Sequence, residues 1–307
     1  MNAIVKLKGF QPVDSIDFGF EGCSADFPAA KRPLQAAGKT GVLPVWSHNA
    51  VVRMIDDKPV PIGVVGADYE LVQHGKFFGA IEEALRENIR PDLARDPQVR
   101  TSVSYDGAWA KREYVFPAFA DALQQSETLK AKFGFRVVAW NALDGSSQAS
   151  LFSGLIDFIC TNGVVAGSLV NQQSRRHTSG FDIEVFKRQI SEGLTVAQAE
   201  VRWLERLANT PLDMAKAEKF LKSKFSERMT ERLMAQVVRE RGQRGDNLFA
   251  LLSALTFYSS HADGAAETRG FGIRNTGADH AAKTLHGREL EVQSAIRSAG
   301  FRELLAA

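Results

Sequence analysis

The sequence predicts an α+β protein: an antiparallel, hairpin-rich sheet with packed helices, then a mainly helical C-terminal half. Three observations lead there. Up to about residue 175, short β-branched and aromatic runs are separated by Asp, Gly and Asn. From about residue 180, apolar residues recur at three- and four-residue spacing instead. A chain of 307 residues that is 44% hydrophobic can also bury a core without covalent staples.

Residues 1–45 carry Phe18, Phe20 and Phe27 among Gly, Asp, Pro and Ala, without periodicity, and read as an irregular N-terminal arm. A hairpin-rich α+β region is expected over 46–180. Val51–Ile55 and Val60–Val65 flank a polar turn at Asp56–Pro59. Phe77, Phe78, Ile81 and Leu85 fall at helical spacing, and Pro91 ends that helix. Arg100–Tyr105 and Ala108–Phe116 flank Asp106-Gly107, the pair that a type I′ turn with positive φ prefers. Phe135–Trp140 and Ala149–Cys160 make a third pair around Asp144-Gly145.

A helical region follows over 181–307. Phe186 and Ile190 start one stripe, and Val196 to Leu207 make another, stopped by Pro211. Phe220 to Val237 supply one or two helices. Leu248 to Tyr258 is apolar all round, so that helix should be buried. Glu289 to Leu305 is a last helix, and the Gly- and Ala-rich stretch 262–287 reads as a long loop.

Composition excludes several classes. The net charge is +2, so any electrostatic footprint is local. The two cysteines, Cys23 and Cys160, form no CxxC pair and read as reduced thiols of a cytoplasmic protein. The N-terminus lacks the apolar core of a signal peptide, and the most apolar stretch is far below the roughly 20 residues of a membrane span. Ala37-Gly38-Lys39-Thr40 resembles the end of a P-loop, but Pro33 stands where the first glycine is needed. No two histidines lie at helical spacing for a metal, and no Gly-x-Ser-x-Gly elbow occurs. Neither cofactor nor metal is expected, and the chain reads as non-enzymatic.

Three ordered segments carry a resemblance: Gly63–Gln73, Asn141–Ser147 and Cys160-Thr161-Asn162-Gly163. Together they resemble the phage and plasmid family known as DUF932, over roughly residues 45 to 290. Asn247, Ala254, Thr256, Tyr258 and His261 are similar to that family's C-terminal helix. The chain departs from the pattern at Asp157, near a place where a basic residue often sits. The resemblance implies a mobile-element setting and no chemistry. Asn141, Ser146, Ser147 and Asn162 are candidates for a polar ligand cluster at one sheet end; as a plainer alternative, they fix turns.

Single-stranded nucleic acid is the expected partner, in phage or plasmid DNA metabolism and with strand annealing as one form of it. Lys111, Arg112, Arg136, Arg175 and Arg176 would contact phosphates, and Tyr105 or Trp109 would stack on a base. Annealing proteins form rings or filaments, so homo-oligomerisation goes with this expectation. The plainer account puts the aromatics in the core and the cations in solvent. Lys111 and Arg112, as neighbours in a strand, point to opposite faces. The competing class is an interaction protein that binds a host defence protein, which requires an exposed apolar patch.

Overall fold

The computed structural model describes residues 10–13, 18–39, 41–122, 129, 132–157, 165–166, 172–178, 181–260 and 278–306. In chain order the strands and helices of the first half are β1 (Gln11–Pro12), β2 (Ala29–Gly38), β3 (Gly41–Ile55), β4 (Lys58–Gly66), α1 (His74–Asn88), β5 (Gln98–Ser104), β6 (Trp109–Phe116), α2 (Phe119–Ala122), β7 (Phe133–Ala142), β8 (Ala149–Asp157), β9 (Val165–Ala166) and β10 (Gln172–Arg175). The second half is helical: α3 (Glu184–Asn209), α4 (Met214–Lys224), α5 (Glu227–Arg244), α6 (Leu248–Ser260), α7 (Ala278–Arg297) and α8 (Ala299–Ala306). The fold is α+β, with helices concentrated in the C-terminal half.

The main sheet is antiparallel, in the order β1-β5-β6-β7-β8-β10, with β9 also on β8. Its central strands are buried along their whole length. Register explains how. Trp109, Lys111 and Glu113 of β6 lie on one face with Arg136, Val138 and Trp140 of β7. Ala110, Arg112 and Tyr114 lie on the other face with Phe135, Val137 and Ala139. The second face packs on α1 and α3, in a cluster that runs from Phe18 to Leu304 and so through both halves of the chain. The first face is covered by α7, whose Leu290 packs on Trp109, Trp140 and Phe152.

Both faces of β6 bury charge. Arg112 Nε donates to Glu82 of α1 at 2.7 Å, and Tyr114 OH donates to the same oxygen at 3.1 Å. On the opposite face Arg136 pairs with Glu113 and, at 2.7 Å, with Glu289 of α7. Lys111 Nζ lies 3.4 Å from Glu113 and 3.9 Å from Glu289. Burial alone would raise the Glu113 carboxyl, but Arg100, Lys111 and Arg136 hold it well below the usual range. Glu289, also buried, is held down to about 2, chiefly by Arg136.

Several elements differ from the sequence expectation. Among the described residues of the stretch expected to be an irregular arm, 1–45, β2 and the start of β3 are regular strands, and Phe18 and Ala25 enter the core. The turn at Asp106 comes one residue early, with Tyr105 and Asp106 both at positive φ and Gly107 N bonded to Ser104 O. Gly107 remains necessary: its φ is +86°, and a side chain there would run into Phe27 and Arg53. The two stripes from Phe186 to Leu207 are one helix, α3. Residues 278–287, read as loop, begin α7, and the final helix is two pieces separated at Ser298.

A carboxyl held below its unfolded value stabilises the fold above that value and loses the effect as pH falls through the folded one. For Glu289 the window runs from about 4.5 down to about 2. The unfolding midpoint should therefore drop across that range. Glu289→Gln should cost about 3 kcal/mol at neutral pH, because Arg136 stays buried with one partner fewer. It should also flatten the acid limb; urea unfolding across pH measures both.

Candidate functional site

The residues expected to hold nucleic acid do not form one surface. Lys111, Arg112 and Arg136 are 4%, 1% and 2% exposed, and their charges are consumed by the ion pairs above. Trp109, Lys111 and Arg136 do share a face, but α7 covers it. The His286 ring lies 5.5 Å from the Trp109 ring and 4.2 Å from the Trp140 ring. Arg112 is on the opposite face, under α1. A phosphate could reach none of the three without stripping a paired charge from the core. Tyr105 is exposed in the β5–β6 turn, Arg175 is half-buried on β10, and Arg176 is exposed.

The surface that does stand free is the three-stranded sheet. β4 pairs only with the His48–Ile55 part of β3. Beyond it, Leu34–Gly38 and Gly41–Val45 continue as a two-stranded ribbon. Trp46, Ser47 and His48 bulge out between the Leu34–Val45 and Pro33–Asn49 pairs. Trp46 is 86% exposed, and Val42 and Leu43 are exposed beside it. No Asp or Glu occurs between Asp26 and Asp56, whereas Lys31, Arg32, Lys39 and Arg53 do. Arg32 and Lys39 are exposed. Lys31 and Arg53 anchor the ribbon: Lys31 Nζ donates to Tyr69 O at 2.8 Å, and Arg53 donates to Asp106 O at 2.8 Å over the Phe27 ring. Pro33, Pro44, Pro59 and Pro61 all sit in strand segments with an unpaired side, which blunts strand-to-strand addition.

At the foot of the ribbon lies a cleft of about 570 Å³. Val64, Val65, Gly66 and Tyr69 form one wall, Asp144 to Gln148 a second, and Arg176, His177 and Thr178 a third. Gly63 allows the first wall to pass the second, since a side chain there would overlap Asp144. Tyr69 OH donates to Ala142 O at 2.8 Å and meets His177 Nδ1 at 2.6 Å, with the two rings stacked at 5.0 Å. Asp144 Oδ1 accepts from Ser146 N at 2.9 Å, the Asx turn its residue type suggests. Ser147 Oγ and His177 Nε2 are buried with no hydrogen-bond partner among the described residues.

Two of the four polar candidates, Ser146 and Ser147, reach this cleft. Asn141 is instead buried behind it, donating to Val72 O at 2.9 Å and to His74 Nδ1 at 3.1 Å. Asn162 lies outside the described residues. Tyr69 and His177 carry the cleft's chemistry and had no local signal as a pair, because they are far apart in sequence. Only Tyr69's place in an ordered family segment pointed to it. Asp157 is committed to a buried pair with Arg244. Asn247 caps α6, accepting from Ala250 N at 3.3 Å. Among the described residues no group of His, Cys, Asp and Glu could hold a metal, and no helix is long and apolar enough to cross a membrane.

Burial pushes both His74 and His177 down to about 4 from an ordinary 6.5. Between those values the unfolded chain binds more protons than the folded one, so stability falls as pH falls from 6.5 to 4. These two histidines should together contribute up to two protons to the pH slope of the unfolding free energy in that window, and His286, which burial also pushes down, adds to it. His177→Phe, which keeps the ring contacts to Tyr69 and Phe181, should remove about one of them.

No curated protein and no solved structure matches the chain. One family model does match, over residues 61–293. That range includes every wall of the cleft, while β2 and β3 precede it. The match covers most of the sequence, and the protein belongs to the family described as Domain of unknown function (DUF932).

Proposed function

We propose that the protein binds single-stranded nucleic acid without catalysing a reaction, and that it does so through the β2–β3 ribbon and its foot, not through β6 and β7. One observation carries this: an 86% exposed Trp46 in a stretch with cations and no carboxylate, in a chain whose net charge is only +2. A free indole offers a base a stacking platform, and neighbouring cations without acids favour a phosphate backbone. Arg32 on β2 below the ribbon, Lys39 at the ribbon's tip and Arg176 beside the cleft supply those cations. Strand annealing in phage or plasmid DNA metabolism belongs to the same proposal, as does self-association along a bound strand.

A second reading has its own support. Val42, Leu43, Met54 and Val64 are exposed on the same small sheet, Val42 and Leu43 on opposite faces, so apolar area is available to a protein partner. The prolines along its edges direct such a partner to a face of the sheet and not to an added strand. The absence of acids over the whole ribbon favours nucleic acid over a generic apolar partner.

Fluorescence anisotropy with a labelled single-stranded oligonucleotide at several salt concentrations separates the two. Trp46→Ala should weaken binding by about 1–3 kcal/mol, roughly 5- to 150-fold. Removing two phosphate contacts in Arg32→Ala/Lys39→Ala should lower the log–log salt slope by roughly 1.4. The same changes at Arg175 should matter less, since that side chain is half-buried. No binding at low salt would sink the nucleic-acid reading and leave the protein partner.

A further inference from the structure

The hydrogen bonds of Tyr69 fix the state of His177. Ala142 O can only accept, so the Tyr69 hydroxyl proton goes to it at 2.8 Å. The 2.6 Å contact with His177 Nδ1 is then a bond donated by Nδ1–H to the Tyr69 oxygen. Burial keeps the imidazole neutral near pH 7, and it keeps the Tyr69 phenol protonated. His177 Nε2 is therefore a bare acceptor, in a residue only 5% exposed, with nothing among the described residues donating to it. Ser147 Oγ, also buried and without a partner among the described residues, lines the same cleft and can donate or accept a hydrogen bond. Leaving both unsatisfied is costly unless a ligand completes them.

These groups define what fits. The occupant brings an N–H or O–H donor for His177 and an acceptor or donor for Ser147. A bare anion is disfavoured deep in the cleft, where the Nε2 lone pair and the Asp144 carboxylate would oppose it. Arg176, exposed at the rim, suits an anionic group that remains near solvent. The volume of about 570 Å³ falls within the range of small-molecule clefts, roughly 300–1,000 Å³.

We propose that the cleft binds one nucleotide, its base edge donating to His177 Nε2 and paired with Ser147 Oγ, and its phosphate at Arg176. This deepens the nucleic-acid reading and rests on it only for the strand as source, because a free mononucleotide has the same chemistry.

The test is isothermal titration calorimetry on the full chain with each of the four 2′-deoxynucleoside 5′-monophosphates. Inorganic phosphate and 2-deoxyribose 5-phosphate serve as controls. At least one monophosphate should bind, one per chain, and the controls should bind at least tenfold more weakly. Ser147→Ala and His177→Phe should each weaken that monophosphate tenfold or more, with circular dichroism and melting showing a folded protein. Arg176→Ala should weaken the monophosphate and leave the corresponding nucleoside unchanged. Three results overturn the proposal: no monophosphate binds, the controls bind equally well, or the folded Ser147→Ala variant keeps full affinity. The two readings fail separately. Oligonucleotide binding without mononucleotide binding leaves the ribbon and removes the cleft site; the reverse makes a free nucleotide the ligand and removes the ribbon.

Discussion

Strand β6 carries Lys111, Arg112, Glu113 and Tyr114 in succession through the middle of the protein, and the rest of the fold is arranged to pay for them. An ion moved out of water costs several kcal/mol even after relaxation, so each must meet an opposite charge inside. Alternation sends Arg112 and Tyr114 to one face, where Glu82 of α1 awaits them. It sends Lys111 and Glu113 to the other, where Arg136 and Glu289 close the group. A shift of one residue in β6 would put each charge on the wrong side, so these pairs specify register and helix placement more than they add stability.

That arrangement decides where charge remains available. The cations of the sheet are neutralised from within, and α7 shuts the one face that gathers Trp109, Lys111 and Arg136. Exposed Arg32, Lys39 and Trp46 are left on β2, the β2–β3 turn and β3, strands that run beyond their third partner. A two-stranded ribbon is marginal in water by itself. Here it is held at its base by Lys31 and Arg53, and by Gln73, whose amide bonds both Ala29 N and Ala29 O at 2.9 Å. The segment that provides Gln73 also provides Tyr69, so the ribbon and the cleft share one foundation.

The cleft is built of turns whose backbones leave side-chain atoms over. The Asx turn at Asp144 uses one carboxylate oxygen, and the Tyr69–Ala142 bond orients His177 without using its second nitrogen. A neutral imidazole held by its Nδ1–H is suited to recognition. With its proton affinity lowered by burial it is a poor base at neutral pH, which agrees with a binding role.

Much of the architecture was legible from the chain alone. The α+β class, the hairpins around Asp56, Asp106 and Asp144 and the buried helix at Leu248 follow from local pattern: period two, then period 3.6, with turn residues between; the family came from the resemblance of three ordered segments. These signals need only neighbours in sequence. The exposure of the candidate binding residues did not have that property. Whether Lys111 and Arg136 meet solvent depends on Glu289 of α7, more than 150 residues beyond Arg136. Whether His177 is a solvated side chain or an oriented acceptor depends on Tyr69, separated from it by 108 residues. Trp46 gave no helical or strand pattern to mark it as exposed. The sequence determined which elements form, because backbone preference and side-chain period are local. Only the tertiary structure decided which charges are spent and which are free, because desolvation depends on what the rest of the chain places on top.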